Sequence, residues 1–531
     1  MSTLAGTPAL VRLALRRDRI RIPVWVAAVA ALVLVTAQSV QGLYPTPGAL
    51  AAAAAVVEDN STALVMNGPA QGLDTLGGRV AFEVGAFGAV LVALMSLLLV
   101  GRHTRAEEES GRTELVRAAA VGRQGPLTAA LLVTAGADAL VAAAVAAGLI
   151  GLGLPVTGSL TLGAALGAAL GVVGLVFAGV AAVTAQVTEY ARGATGLAIA
   201  VLGLAFVLRA AGDVGDGTLS WASPIGWVQA SRPFAGERVG PLLLALAAAA
   251  LLAAAATALG ARRDVGAGLV RPRPGPPVAR ASLLRPAGLA LRLQRSSLVA
   301  WSSAVFLIGV TYGSIAPDIE DFVGENQDLG ELLAPSGEAG LTDAFLGTAL
   351  LVLALIGSGF TVQSALRLRG EEGAGRLEPV LAAAVTRTRW VGGFLAVTLL
   401  GSAVVLAMGG LGTGLAHGLL SGDTAAVPRL LGAALAYLPA LWVLVGVAVA
   451  LFGLVPRVAA AAWAVLAGCV LVGLLGPLLE LPGWVSGVSP FQHVPRLPAA
   501  EFSTVALVVL LGVAAALVGA GLTGFRHRDI G

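Results

Sequence analysis

Long apolar runs, separated by short polar segments, follow one another along the whole sequence. An α-helix of about 20 apolar residues is long enough to cross the hydrocarbon core of a bilayer. Twelve runs approach that length, so the pattern predicts an all-α integral membrane protein with twelve spans. The predicted spans are residues 24–43, 84–101, 126–152, 160–185, 194–208, 239–260, 298–314, 344–366, 390–415, 430–454, 458–479 and 505–525.

The composition agrees with a membrane protein and limits the chemistry of the chain. Of 531 residues, 57% are hydrophobic and 12% charged, whereas soluble domains carry about 25% charged residues. All basic residues are Arg, and a nucleotide-binding P-loop needs a Lys. Any ATPase that works with this chain is therefore expected to be a separate protein. The lone Cys469 and four scattered His predict no metal site, and a net charge of +3 does not indicate nucleic-acid binding.

The distribution of arginine predicts how the chain crosses the membrane. Arginines cluster before the first span and after the second, sixth, eighth, tenth and twelfth spans, whereas residues 317–343 are acidic and contain no basic residue. Because cytoplasmic loops carry an excess of positive charge, both termini are expected in the cytoplasm and residues 317–343 outside it. The expected location is the plasma membrane.

The two halves of the sequence resemble each other. Residues 105–123 and 369–387 align without a gap at an offset of 264, and similar segments precede the first and seventh spans. The predicted domains are residues 1–260, a Pro- and Arg-rich cytoplasmic linker at 261–288, and residues 289–531. Six spans per half leave both halves in the same orientation, so the sequence predicts two parallel six-helix repeats about an axis along the membrane normal.

Residues 105–123 and 369–387, here called the first and second charged segments, each follow the second span of their half. Their Glu and Arg lie three and four residues apart, as with Glu108 and Arg112, which predicts a short surface helix with ion pairs. Gly111 and Gly375 would permit a bend or let another backbone come close. An ordinary solvated loop is the alternative, but it requires only polarity and not the same residues twice in register.

The pattern E-E-x-x-G-[RT]-x-E-x-x-x-A-x-x-V-x-R of both charged segments resembles the coupling-helix signature of type-2 ABC exporter permeases. The doubled chain is similar to actinobacterial permeases that export polyketide antibiotics. Ala120 and Ala384 stand where that family often has proline. The resemblance implies coupling helices that insert into a dimer of separate ATP-binding subunits, which hold ATP and Mg²⁺. Residues expected to contact or orient that dimer are Glu107, Glu108, Gly111, Arg112, Glu114, Arg123, Glu371, Glu372, Gly375, Arg376, Glu378 and Arg387.

The same resemblance implies an amphipathic elbow helix before the first span of each half and a path for substrate between the halves. Residues 7–21 support the first elbow, because Leu10, Leu13, Ala14 and Arg17 lie at helical spacing beside a basic face. A basic flank that only sets the topology is the alternative. Small apolar residues line most spans, so the expected substrate is a hydrophobic or amphipathic compound of the antibiotic, drug or lipid class.

Asp138 is the only acidic residue near the middle of a predicted span. A carboxylate there costs about 2.5–3.5 kcal/mol on insertion scales, so it is expected to face the interior of its helix bundle and to have a partner. A role in substrate contact or gating is one hypothesis, and a hydrogen-bonded packing residue is the other.

Two other classes of protein remain open. A secondary transporter of the major-facilitator type also has twelve helices in two parallel halves. That class usually uses several acids or bases within the membrane, and this chain offers essentially Asp138. A membrane-embedded enzyme would need converging His, Asp or Glu at the bilayer surface, and no such group of catalytic residues is expected here.

Overall fold

The computed structural model describes residues 2–58, 61–153, 164–271, 275–318, 340–383, 385–475 and 482–529. All regular elements within these ranges are helices. Twelve helices of the described chain are long and apolar enough to cross a membrane, which confirms the predicted number of spans. The chain forms two compact units, Met1–Gly275 and Pro276–Gly531, and the boundary lies within the predicted linker. The predicted acidic outer segment falls mostly on residues 319–339, outside the described residues, as does Ala384.

The first unit contains six spans, and its second and fourth spans are the most buried. Close approach of these helices depends on small residues. A Cβ on Gly167 of the fourth span would lie 2.4 Å from the carbonyl oxygen of Ala142 in the third span, so only glycine fits there. The spans are Arg21–Leu43, Leu76–His103, Gly125–Gly151, Ala164–Val187, Ala191–Val214 and Gly240–Ala261, and the shorter helices are Thr7–Arg17, Pro47–Glu58, Ser61–Asn67, Arg105–Glu109, Arg112–Arg117, Leu219–Ala222 and Pro224–Ala230.

The second unit packs its seventh and ninth spans through glycines in the same way. A Cβ on Gly309 would lie 2.4 Å from the carbonyl oxygen of Gly409. The tenth span consists of two helices, Ala426–Leu435 and Leu438–Leu454, and the eleventh begins with the 3-10 turn Pro456–Ala461 and continues as Ala462–Leu475. The other spans are Pro286–Ile315, Leu341–Ala365, Arg387–Ser421 and Thr504–His527, and the shorter helices are Ala281–Leu284, Ala316–Asp318, Arg367–Gly373, Leu377–Ala382, Gly483–Ser486 and Pro490–His493.

The fifth span is longer than the sequence predicts. It covers Ala191–Val214, not residues 194–208. Arg209 and Asp213 interrupt the apolar run, but both side chains are buried and form an ion pair at 3.3 Å, four residues apart on one face of the helix. Because each charge has its partner within the same helix, the helix continues past the end of the apolar run.

The predicted elbow helices differ between the two units. In the first unit Thr7–Arg17 is a separate helix that ends at the fully buried Asp18, ahead of the first span. In the second unit the corresponding residues lie inside the continuous helix Pro286–Ile315, without a separate helix before the seventh span. Gln294, which aligns with Asp18, accepts a hydrogen bond from Ser364 at 2.5 Å within that uninterrupted helix.

Candidate functional site at the charged segments

Each charged segment forms two short helices with a bend at its glycine. Arg105–Glu109 and Arg112–Arg117 are joined at Gly111, which has a φ of 73°. In the second unit the bend lies at Gly375, with a φ of 67°. A Cβ at either glycine would meet no atom within 4 Å. Positive φ at both glycines agrees with the expected bend, and no atom described in this chain approaches either position.

The bend changes the ion pairs that helical spacing predicts. Glu108 and Arg112 are four residues apart, but the turn at Gly111 separates their two helices, so the predicted pair does not form. Glu108 instead contacts Arg105 at 2.8 Å and accepts two hydrogen bonds from Arg263, at 2.6 and 2.9 Å. This paired contact links the first charged segment to the chain that follows the sixth span.

Arg105 fixes the same segment to the end of the fourth span. Its side chain is fully buried, and its guanidinium donates to the carbonyl oxygen of Ala185 at 2.6 and 3.0 Å and to that of Ala267 at 3.1 Å. The backbone N–H of Leu269 donates to the carbonyl of Gln186 at 3.0 Å. The first part of the predicted linker is therefore packed against the first unit.

Equivalent contacts occur in the second unit. Glu372 pairs with Arg369 at 3.0 Å and with Arg528 at 2.6 Å. Arg369 and Glu372 align with Arg105 and Glu108 at the offset of 264, and Arg528 follows the twelfth span as Arg263 follows the sixth. In both units a glutamate of the charged segment is therefore held by one local arginine and one distant arginine.

The neighbouring glutamates also have partners. Glu107 pairs with Arg17 of the N-terminal helix at 2.8 Å and with Arg112 at 3.5 Å. Glu371 pairs with Arg367 at 2.9 Å and with Arg376 at 2.7 Å. The hydrogen bond and the negative charge of Glu371 raise the pKa of the Arg376 guanidinium further above its ordinary value.

The last arginine of each charged segment caps a span. Arg123 donates to the carbonyl oxygens of Gly260 and Arg263, at 3.3 and 3.0 Å, where the sixth span ends. Arg387 donates to three carbonyl oxygens at the end of the twelfth span, at 2.7–3.2 Å. The last carbonyls of a helix have no partner within the helix, so a cation there is favourable.

Glu114 and Glu378 differ from the paired glutamates of the charged segments. Both side chains are exposed, and neither lies within ion-pair distance of an arginine among the described residues. Glu109 is exposed as well, but it accepts a hydrogen bond from the backbone N–H of Ala191 at 2.9 Å. Next to Glu114, Leu115 is 77% exposed. The structure thus separates the predicted site residues into a set that holds the segments in place and a set that faces outward.

Asp138 lies inside the first unit, as the sequence predicts. Its side chain is 1% exposed, and the Ser96 hydroxyl of the second span donates to its Oδ1 at 2.7 Å. A Cβ on Gly174 of the fourth span would lie 2.3 Å from the same oxygen. Asp138 therefore fills the contact between three spans, which agrees with the expectation that it faces the bundle interior and has a partner.

Sequence reasoning missed the fully buried carboxylate of Asp18. Its Oδ2 contacts His103 Nε2 at 2.5 Å and its Oδ1 lies 3.1 Å from Arg102 Nε. Asp18 is the single acid in the basic stretch before the first span, and this was the available signal. The carboxylate joins the end of the N-terminal helix to the end of the second span.

Twelve apolar helices, buried charges with partners and charged segments at the ends of spans define a multi-pass α-helical membrane protein. The sequence profile of the family described as "Multidrug efflux system permease Rv1217c, C-terminal domain" matches residues 9–259 and 283–526. The chain belongs to this family of permeases. It is 43% identical over 532 residues to the multidrug efflux system permease protein Rv1217c of Mycobacterium tuberculosis (strain ATCC 25618 / H37Rv). The alignment covers 100% of this chain and 96% of that protein.

Proposed function

We propose that this permease is the membrane subunit of an ATP-binding-cassette exporter, and that ATP is hydrolysed by a separate subunit present in two copies. The observation that carries the proposal is the recurrence of one charged architecture in both units. In each, an internal network of arginines and glutamates holds two short helices, and one glutamate, Glu114 or Glu378, faces outward. Two such surfaces on one chain suit two sockets on a dimeric partner.

The absence of lysine supports a separate ATPase. A P-loop binds the β- and γ-phosphates through its lysine, and the sequence contains none. The charged segments also lie at ends of spans. The arginine distribution predicts that these ends face the cytoplasm, where ATP is available. On this orientation both termini are cytoplasmic and the protein resides in the plasma membrane.

The two units are proposed to be parallel six-span repeats. The family profile matches one stretch in each half, and the contacts of Glu108 and Glu372 recur at the offset of 264. The first part of each half would act as an elbow at the membrane surface, as a separate helix in the first unit and as the start of a continuous helix in the second.

The proposed cargo is a hydrophobic or amphipathic compound of the antibiotic, drug or lipid class. The name of the mycobacterial relative, a multidrug efflux permease, supports this class. The apolar spans of both units also favour such a compound over a sugar or an ion. Stimulation of the ATPase of the reconstituted complex by a panel of antibiotics and lipids is the measurement that identifies it.

The decisive experiment substitutes the two outward glutamates together. Glu114→Ala with Glu378→Ala removes no described ion pair, so the variant is expected to fold as the wild type does. The purified chain is mixed with its candidate ATP-binding subunit, and both association and drug-stimulated ATPase activity are measured. We expect at least a tenfold loss of affinity, equal to about 1.4 kcal/mol. Unchanged association and stimulation would overturn the coupling role of these segments.

Glu501→Ala is the matched control, because Glu501 is an exposed glutamate in the loop before the twelfth span, at the opposite end from the charged segments. This variant should associate with the ATPase as the wild type does. Glu108→Ala is unsuitable for the test, since it would leave Arg105 and Arg263 without their carboxylate and would disturb folding itself.

A secondary transporter driven by an ion gradient is the second candidate, and the buried carboxylate of Asp138 is the observation in its favour. Reconstitution of the chain alone separates the two proposals. Drug transport that follows a proton or sodium gradient without ATP or a partner would support the secondary transporter. Transport that requires the partner and ATP, and that persists in Asp138→Asn, would support the exporter.

A further inference from the structure

A small pocket of about 60 Å³ opens in the first unit beside the first charged segment. It lies where the second, fourth and sixth spans end and the third begins, the level of the cytoplasmic interface in the predicted orientation. Here it is called the basic pocket, and its lining includes Thr104, Thr113, Arg117, Arg123, Gln186 and Arg263.

The charges of the basic pocket leave it positive. Glu108 is the only carboxylate of its lining, and it is already paired with Arg105 and Arg263. Arg117 and Arg123 have no carboxylate within ion-pair distance among the described residues. Both donate to carbonyl oxygens instead, Arg117 to that of Arg123 at 3.4 Å and Arg123 to those of Gly260 and Arg263. The Nε of Arg117 is buried and has no hydrogen-bond partner in the described structure. An unpartnered buried donor of this kind favours an anionic ligand.

A second cavity of about 60 Å³, here called the apolar groove, adjoins the basic pocket. It lies between the N-terminal helix and the third span. The linings of the two cavities share His103, Thr113 and Pro126, so the cavities lie side by side. The apolar side of the groove is formed by Leu10, Leu13, Val116, Ala129 and Ala130, and the ion pair of Arg17 and Glu107 lines its polar edge.

The second unit has leucine at three positions that are polar in the lining of the basic pocket. At the offset of 264, the positions of Thr104, Thr113 and Arg117 are Leu368, Leu377 and Leu381. Leu368 and Leu377 are each 1% exposed and belong to the apolar core of that unit. If these positions served only to pack the charged segment, leucine would suffice in both units. The polar set in the first unit therefore points to a ligand.

We propose that the basic pocket binds the phosphate group of an anionic phospholipid, whose acyl chain lies in the apolar groove under the N-terminal helix. Arg117 and Arg123 supply the charge, and Thr113 supplies a hydroxyl donor, whereas the hydroxyl of Thr104 already donates to the carbonyl oxygen of Val100 at 2.6 Å. Anionic lipids concentrate in the cytoplasmic leaflet, where basic pockets between spans recognise their head groups. The apolar groove distinguishes this ligand from free phosphate, which has no apolar part. The proposal requires the predicted orientation but not the ATP-binding partner, so it is tested on the permease alone.

The test measures thermal stabilisation of the purified full chain in a neutral detergent, with dioleoyl phosphatidylglycerol, dioleoyl phosphatidylcholine and inorganic phosphate as probes. Phosphatidylglycerol is expected to stabilise the wild type saturably. Phosphatidylcholine, whose choline cation offsets the phosphate charge, and inorganic phosphate should do so far less. Equal stabilisation by both lipids would overturn the proposal, and stabilisation by inorganic phosphate alone would replace the lipid with a soluble anion.

Arg117→Leu, which introduces the residue type of the second unit, is expected to weaken phosphatidylglycerol binding about tenfold or more. Arg389→Leu removes an exposed arginine at the start of the ninth span, outside the basic pocket, and should bind as the wild type does. Wild-type affinity in Arg117→Leu would overturn the proposal. If Arg117→Leu does not fold, Thr113→Leu fills the pocket without loss of charge and should abolish binding in the same assay.

Discussion

Three spans meet at Ser96, Asp138 and Gly174. At this contact, each residue limits how large a side chain the other two positions can hold. The carboxylate occupies the space that a side chain on Gly174 would need, with only 2.3–2.8 Å between its atoms and the position of a Cβ. Ser96 has a second acceptor, the carbonyl oxygen of Val92 at 2.9 Å. Loss of Asp138 therefore would not leave the serine hydroxyl unpartnered.

These distances lead to a prediction of rescue. Gly174→Ala should lower the free energy of unfolding in detergent by about 1–3 kcal/mol, because the new methyl group overlaps the Asp138 carboxyl. Adding Asp138→Ala should restore most of that loss, since the methyl group then fills the vacated space. Thermal unfolding of the two single variants and the double variant measures the coupling between the sites.

Gly136→Ala is the control for this prediction, because Gly136 lies in the third span and a Cβ there would meet no atom within 4 Å. It should leave the midpoint of unfolding unchanged or raise it slightly. A double variant that is as unstable as Gly174→Ala alone would show that the carboxylate does not occupy the contact as described.

Among the elements, the paired short helices of the charged segments depend on the backbone of one glycine. Gly111 and Gly375 have positive φ, where a side chain clashes with its own backbone, whereas their surroundings are empty. Gly111→Ala or Gly375→Ala should therefore cost about 1 kcal/mol of unfolding free energy each, from backbone strain alone. Gly111→Asn should cost less, because asparagine tolerates this conformation. Thermal unfolding of the purified variants is the measurement.

Gly370 lies in the same kind of short helix and has ordinary helical φ, and a Cβ there would meet no atom within 4 Å. Gly370→Ala is therefore the control. Here alanine should stabilise the helix by up to about 1 kcal/mol. If Gly370→Ala lost as much stability as Gly375→Ala, the positive φ at the bend would not explain the need for glycine in these helices.

The helices and bends could be predicted from sequence because their causes are local. Runs of apolar residues predict the twelve spans, and a bend is one of the two roles that the sequence allows for a glycine between two charged stretches. The partner of Glu108 could not be predicted, because Arg263 lies 155 residues further along the chain and only the packing of the spans brings the two together. The same holds for Asp18 and His103, which are 85 residues apart.

For the whole chain, composition and charge predict the class of protein, but they do not predict how its two halves differ. The aligned positions of the two charged segments predict equal structures. The structure instead has a separate N-terminal helix and a polar pocket in the first unit, and a continuous helix and leucines in the second. At the aligned positions Thr113 and Leu377, the leucine belongs to the apolar core of the second unit, and the sequence does not reveal the neighbours that bury it.

The two units each have their own apolar core, and residues 275–282 between them are exposed. A protease site inserted between Gly275 and Pro276 should therefore be tolerated, and cleavage there should leave both fragments folded. Circular dichroism and thermal unfolding before and after cleavage measure this, with the midpoint expected to change by only a few degrees. The same insertion after Gly122, whose N–H donates to the carbonyl of Ala5 at 2.9 Å, should lower the midpoint before any cleavage. Aggregation of either fragment after cleavage at Gly275 would show that its core does not suffice and that each half folds only as part of the intact chain.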